Sequence, residues 1–172
     1  MIAVLRSDDD VFDRLRRELR DRGDQQHDVV RGALALGDQH AGGGDHEVYL
    51  PREKILFMSE VFSNRIFPSM ANGYPTEWVA ALKKAEQMEV SYFVCAHGFI
   101  DNPTVMREEE LNFRLALERI IAEGTRLHNA KTPIENATAA ARFEPFDGWT
   151  RVANNAFAAL ARVYAEIDGQ LK

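Results

Sequence analysis

The sequence predicts a single mixed domain, α/β or α+β, and two observations carry that prediction. Short runs rich in aromatic and β-branched residues alternate with longer stretches whose apolar residues recur at helical spacing. A chain of 172 residues, 45% hydrophobic and 28% charged, is long enough for one core and ordinary in composition for a soluble protein.

Residues 1–35 stand apart from the rest. They are dense in charge and carry no lysine, the first being Lys54. Ser7 is placed to cap a helix over residues 8–22, with Asp8, Asp9 and Asp10 at its positive end. Val11, Phe12, Leu15 and Leu19 give that helix a narrow apolar stripe, as in a solvated helix with one buried edge. Residues 27–36 (HDVVRGALAL) read as a strand, and 37–47 (GDQHAGGGDHE) as a glycine-rich loop.

From residue 47 the pattern is cleaner. Residues 47–50 (EVYL) and 54–59 (KILFMS) read as the strands of a hairpin about Pro51, Arg52 and Glu53. A loop over 64–75 leads to an amphipathic helix over 76–89, with Trp78, Leu82 and Ala85 on one side. Residues 90–96 (VSYFVCA) read as a buried strand. Asn102 and Pro103 open a long helix ending near His128, whose stripe is Phe113, Leu117, Ile120, Ile121 and Leu127. A short helix over 133–142, a loop over 143–150 and a terminal helix over 152–171 complete the chain. In the terminal helix Phe157, Leu160, Tyr164 and Ile167 are expected to face inward.

Charge and composition exclude some classes. A formal charge of −6 and mixed charge signs in the first segment argue against a nucleic-acid surface, which needs clustered Lys and Arg. The single cysteine, Cys95, permits no intrachain disulfide and fits a reducing compartment; its strand setting makes it a small core residue. The opening apolar run is too short for a signal peptide, and no stretch has the length of a membrane span. A cytoplasmic protein is expected.

Two apolar strands end on groups that can do chemistry. One runs into Glu60, and the other into His97 followed by Gly98. Side chains just beyond strand ends reach a crevice from a rigid base. A carboxylate and an imidazole meeting there can share a metal or act as a base and its orienting partner. His40, in the glycine-rich loop, is the third candidate; no Gly-Lys-Ser/Thr follows it, so the loop is not a phosphate-cradling P-loop. His27, His46 and His128 read as surface or helix-end residues, and Glu108, Glu109 and Glu110 as acids at the positive end of the long helix.

Taken together, the stretches GDQHAGGGDHEVYLPREKILFMSEVF, NRIFPSMANGYPTEWVAAL and YFVCAHG resemble the second half of a metallo-β-lactamase superfamily protein. That family carries a loop histidine in Gly-x-x-His-Thr-x-Gly-Asp, then a hairpin like Val-Tyr-Leu-Pro-x-x-Lys-Leu-Phe ending in Gly-Asp. A Phe-Pro loop, a tryptophan-bearing helix and a strand ending in Pro-Gly-His-Gly follow. The resemblance runs from Leu36 to the C-terminus and implies a partial αββα sandwich over residues 36–172, a mixed sheet covered by helices. It leaves residues 1–35 as a divergent charged segment of the same domain. It places His40, Glu60 and His97 on metal positions.

The departures are as informative. The family's first signature, His-x-His-x-Asp-His, is absent from a chain with five histidines. Ala41 stands for the threonine, and Glu60 for the bridging aspartate, its carboxylate reaching roughly 1.5 Å further. The resemblance therefore implies a zinc-dependent hydrolase of ester, amide or thioester bonds in a small-molecule substrate, holding at most one zinc per chain and of reduced activity. The alternative is a non-catalytic remnant or interaction module in which a second copy or a partner covers the open sheet. A metal-free hydrolase or nucleotide-binding domain ranks last, because neither Gly-x-Ser-x-Gly nor Gly-x-Gly-x-x-Gly occurs.

Overall fold

The computed structural model describes residues 34–36 and 47–171. The helix expected over residues 8–22, the loop at 37–46, and with them His27, His40 and His46, lie outside the described residues. Four strands form one mixed sheet in the order β1 (Leu34–Leu36), β2 (Glu47–Leu50), β3 (Ile55–Phe57) and β4 (Tyr92–Val94). β1 and β3 both run antiparallel to β2, while β4 runs parallel to β3. The hairpin thus forms as expected, its turn closing with Lys54 in the left-handed region at φ 56°.

The parallel β3–β4 pair needs a crossover, and α1 (Pro75–Glu86) supplies it. Three helices follow β4: α2 (Pro103–Asn129), α3 (Ile134–Ala140) and α4 (Val152–Ile167). The start of α2 is as expected. The Asn102 side chain accepts from the N–H groups of Thr104 and Val105, and Pro103 fills the first helical position, where a missing N–H costs nothing.

Alternation sorts the sheet residues between two faces. Tyr49, Leu56 and Phe93 lie side by side in register and are buried among the helices. The opposite face carries Val48, Phe57 and Val94 in one row and Leu50, Ile55 and Tyr92 in the next, all partly or largely exposed. Trp78, Leu82 and Ala85 of α1 are buried, as are Phe113, Leu117, Ile120 and Leu127 of α2. Phe113 is the aromatic hub, within 6.3 Å of the ring centres of Phe62, Trp78 and Trp149.

The inward face of α4 differs from the sequence reading. Phe157 and Ile167 are exposed, and the buried residues are Ala156, Ala159, Leu160 and Val163. Both sets follow helical spacing, but the smaller residues let α4 come close to α2. At the point of approach Gly124 of α2 lies under Val163, where an added Cβ would sit 2.7 Å from Val163 Cγ1. Gly124→Ala is therefore expected to lower stability by up to about 2 kcal/mol, since overpacking costs about 1–3 kcal/mol and alanine recovers about 1 kcal/mol of helix propensity. In a Val163→Ala background the same change is expected to be neutral or stabilising, a reversal that denaturant titration of the four variants would show.

Glu109 and Glu110, expected as acids near the positive end of α2, also prove to be buried, at 4% and 1% exposure. Glu109 takes a forked ion pair from Arg65, with Nε at 3.0 and 3.1 Å from its two oxygens. Glu110 sits where the ends of α1 and β2 meet α2, with Arg107, Arg114, Glu86 and Glu47 as its charged surroundings.

Candidate metal centre and its cleft

The position of Glu60 follows from unequal chain lengths. Phe57 pairs with Val94, and a single parallel bridge joins Ser63 to His97. Residues 58–62 lie between these pairings on the β3 side and only 95–96 on the β4 side, and the surplus bulges out. Ser59, at φ 47°, turns the chain into a 3₁₀ turn, Ser59–Val61, with Glu60 at its centre. Met58, Val61 and Phe62 anchor the turn in the core. Trp78 Nε1 donates to Val61 O at 2.9 Å, so α1 braces the turn as well. Beyond the bulge the ladder resumes, with Ala96 N–H donating to Phe62 O at 3.0 Å and Asn64 N–H to His97 O at 2.8 Å.

Gly98 holds the other half. Its φ is +99°, and a Cβ there would lie 2.3 Å from the Asn64 carbonyl oxygen. The chain can thus turn sharply away after His97 only because no side chain follows it. Asn64 is itself 2% exposed, and its Nδ2 donates to Phe99 O at 3.0 Å. This bracing asparagine was not legible in the sequence: it lies in a loop without pattern, and its role depends on a partner 35 residues away.

Ladder and turn bring Glu60 and His97 together. His97 Nε2 lies 2.8 Å from Glu60 Oε1, and both side chains are more than half exposed. They stand at the mouth of a cleft of about 470 Å³. Ser63, Ser69, Asn72 and Asn155 give it polar lining, and Phe67, Trp78 and Phe113 give it an apolar floor. Strained backbone gathers here. Met70 and Arg151 line the cleft at φ 54° and 66°, and Ser59 and Arg65 adjoin it at 47° and 53°.

Of the three residues expected to ligate zinc, two therefore converge and His40 lies outside the described residues. An imidazole nitrogen and a carboxylate oxygen are donors zinc accepts. They supply two positions of a four-coordinate site. Among the described residues no group of three or more His, Cys, Asp or Glu gathers to hold a metal ion. The donor set fits one zinc if one further ligand joins it, and the pair is too small to build two metal positions.

The remaining candidates are structural. Cys95 is buried, and burial pushes its thiol above the ordinary cysteine value, which disfavours a nucleophilic thiolate. His128 ends α2 as expected, with Nε2 3.0 Å from Asp168 Oδ1 and its ring edge-on to Tyr164. Among the described residues no helix is long and apolar enough to cross a membrane.

No family model matches the sequence, and no curated protein does. Solved structures do match in fold. The stereoselective inverting sec-alkylsulfatase Pisa1 from Pseudomonas sp. superposes with a TM-score of 0.53 at 12% identity, over 78% of this chain and 25% of that one. A double mutant of the same enzyme gives 0.52 at 15% identity, over 75% and 23%. The chain thus spans about a quarter of the length of these structures. At such identity the likeness speaks to fold alone, and it supports a partial metallo-β-lactamase-like α/β architecture.

Proposed function

We propose that this chain is a zinc-dependent hydrolase of ester, amide or thioester type, with His40, Glu60 and His97 as ligands to one zinc. The single observation behind this reading is the meeting of Glu60 and His97 at the mouth of the cleft, on two segments held together by main-chain hydrogen bonds. Zinc, when bound, supplies Lewis-acid activation of water and of the scissile carbonyl. The protein's own contribution is positional. The 3₁₀ turn and Gly98 orient the two donors, the aromatic floor excludes water from one wall, and Ser63, Asn72 and Asn155 offer hydrogen bonds to a bound substrate.

The test is elemental analysis of the purified full chain after exposure to zinc and extensive dialysis. One zinc per chain or less is expected, and His97→Ala is expected to remove it, as is Glu60→Gln to a lesser degree. Two tightly held metals per chain, or a content indifferent to His97→Ala, would reject the assignment.

A further inference from the structure

Arg151 is the arginine lining the cleft that also holds Glu60 and His97. The residue is exposed and meets no carboxylate among the described residues. Other arginines are engaged: Arg65 with Glu109, Arg114 with Glu86 and Glu118, Arg126 with Glu123, and Arg162 with the Gly73 carbonyl and the Tyr74 ring. Glu60, the acid of the same cleft, is already matched to His97.

The backbone that carries Arg151 is fixed at several points. Thr150 N–H donates to Arg65 O at 3.1 Å, and Phe67 N–H to Thr150 O at 2.9 Å, so residues 65–67 and 150 form a short parallel bridge. One turn into α4, Asn155 Nδ2 donates to Phe67 O at 2.6 Å. Between these ties Arg151 takes φ 66°, a conformation that costs a non-glycine residue free energy and is held by its surroundings. A guanidinium with no carboxylate partner among the described residues thus lines the cleft from a strained and well-anchored position.

A guanidinium binds carboxylate, sulfate or phosphate through paired N–H groups. The chain as a whole carries a formal charge of −6, which repels anions at a distance, so anion binding in the cleft depends on a local cation. We propose that the ligand of this cleft is a small molecule bearing an oxyanion group, and that Arg151 binds that group. This rests on the cleft being the substrate site, as in the reading above, but not on its holding zinc.

The experiment uses the full chain freed of metal by a chelator that is then dialysed away. Sodium sulfate is titrated at constant ionic strength, balanced with sodium chloride, and amide NMR shifts are followed. Saturable shifts are expected in residues 66–73 and 151–155. Arg151→Gln is expected to weaken binding roughly tenfold or more, the loss typical of a charge-assisted hydrogen-bond pair, and Arg151→Lys by an intermediate factor. Arg151→Gly, which suits the left-handed backbone, gives the same loss without strain, and dispersed spectra report that each variant is folded. Arg52→Gln, in the hairpin turn, is expected to change nothing. Absence of saturable shifts at the cleft overturns the proposal. So does unchanged binding in folded Arg151→Gly, which would mark an adventitious ion only. Because no metal is present, failure here leaves the zinc assignment standing, and loss of zinc in His97→Ala leaves this result standing.

Discussion

Gly98→Ala is expected to lower the unfolding free energy by about 3 kcal/mol or more, among the largest effects of any single methyl group in this chain. Two costs combine. Alanine at φ +99° is strained wherever it occurs, and here its Cβ would also lie 2.3 Å from the Asn64 carbonyl oxygen. That oxygen belongs to main chain and cannot swing aside as a side-chain tip can. Moving it would break the Asn64 N–H bond to His97 O, which fixes the ladder beneath the candidate site. Urea titration should show a lower midpoint with an unchanged slope. Gly148→Ala is the control: nothing lies within 4 Å of its added Cβ, and its effect is expected to stay within about 0.5 kcal/mol. Equal midpoints for the two variants would show that Gly98 is not under the constraint described.

Glu110→Gln is expected to remove a pH dependence of stability. Burial, and after it the charge of Glu86, push the Glu110 carboxyl up to about 8, against the pull of Arg114 and Arg107 and with a further push from Glu47. The folded chain thus holds a proton that the unfolded chain releases near the ordinary carboxylate value. The resulting stabilisation is full below that unfolded value and is lost as pH rises through about 8. Within this window the loss is about 1.4 kcal/mol per pH unit at most. Between pH 6 and pH 8.5 the glutamate should therefore lose roughly 2–3 kcal/mol that the isosteric glutamine keeps. Denaturation midpoints across that range should fall more steeply for the native chain than for Glu110→Gln. Parallel curves would mean that Glu110 is ionised in the folded protein at neutral pH.

Much of the architecture was legible before any coordinates. The hairpin, α1 and α2 declared themselves because each combines a period with punctuation: Pro51 in the turn, Trp78 and Leu82 at helical spacing, Asn102 and Pro103 at a helix start. Glu60 and His97 were legible as strand ends, but their meeting was not. It depends on the unequal lengths between two strand pairings, which no local pattern records. The inward face of α4 was misread because bulk was taken as the sign of burial, whereas close helix contact selected Ala156 and Ala159. The burial of Glu110 was not legible at all. A helix turns each residue of the three-glutamate run about 100° from the last, and two of them point inward. Arg151 and Asn64 carry no sequence signal of their own; each acquires meaning from segments more than thirty residues distant.

The resumed ladder beyond the 3₁₀ turn also bears on how the molecule loosens. The amide protons of Asn64 and Ala96 are bonded across the two segments that carry Glu60 and His97. Neither can reach solvent deuterium unless those segments part, and parting them opens the sheet beside Phe62, which is fully buried. These amides should therefore exchange with the slowest group in the protein, although the side chains above them are wet. The rim of the cleft would then be among the last parts of the fold to come undone, and a variant that speeds exchange at Asn64 and Ala96 alone would be one that has loosened the site while sparing the core.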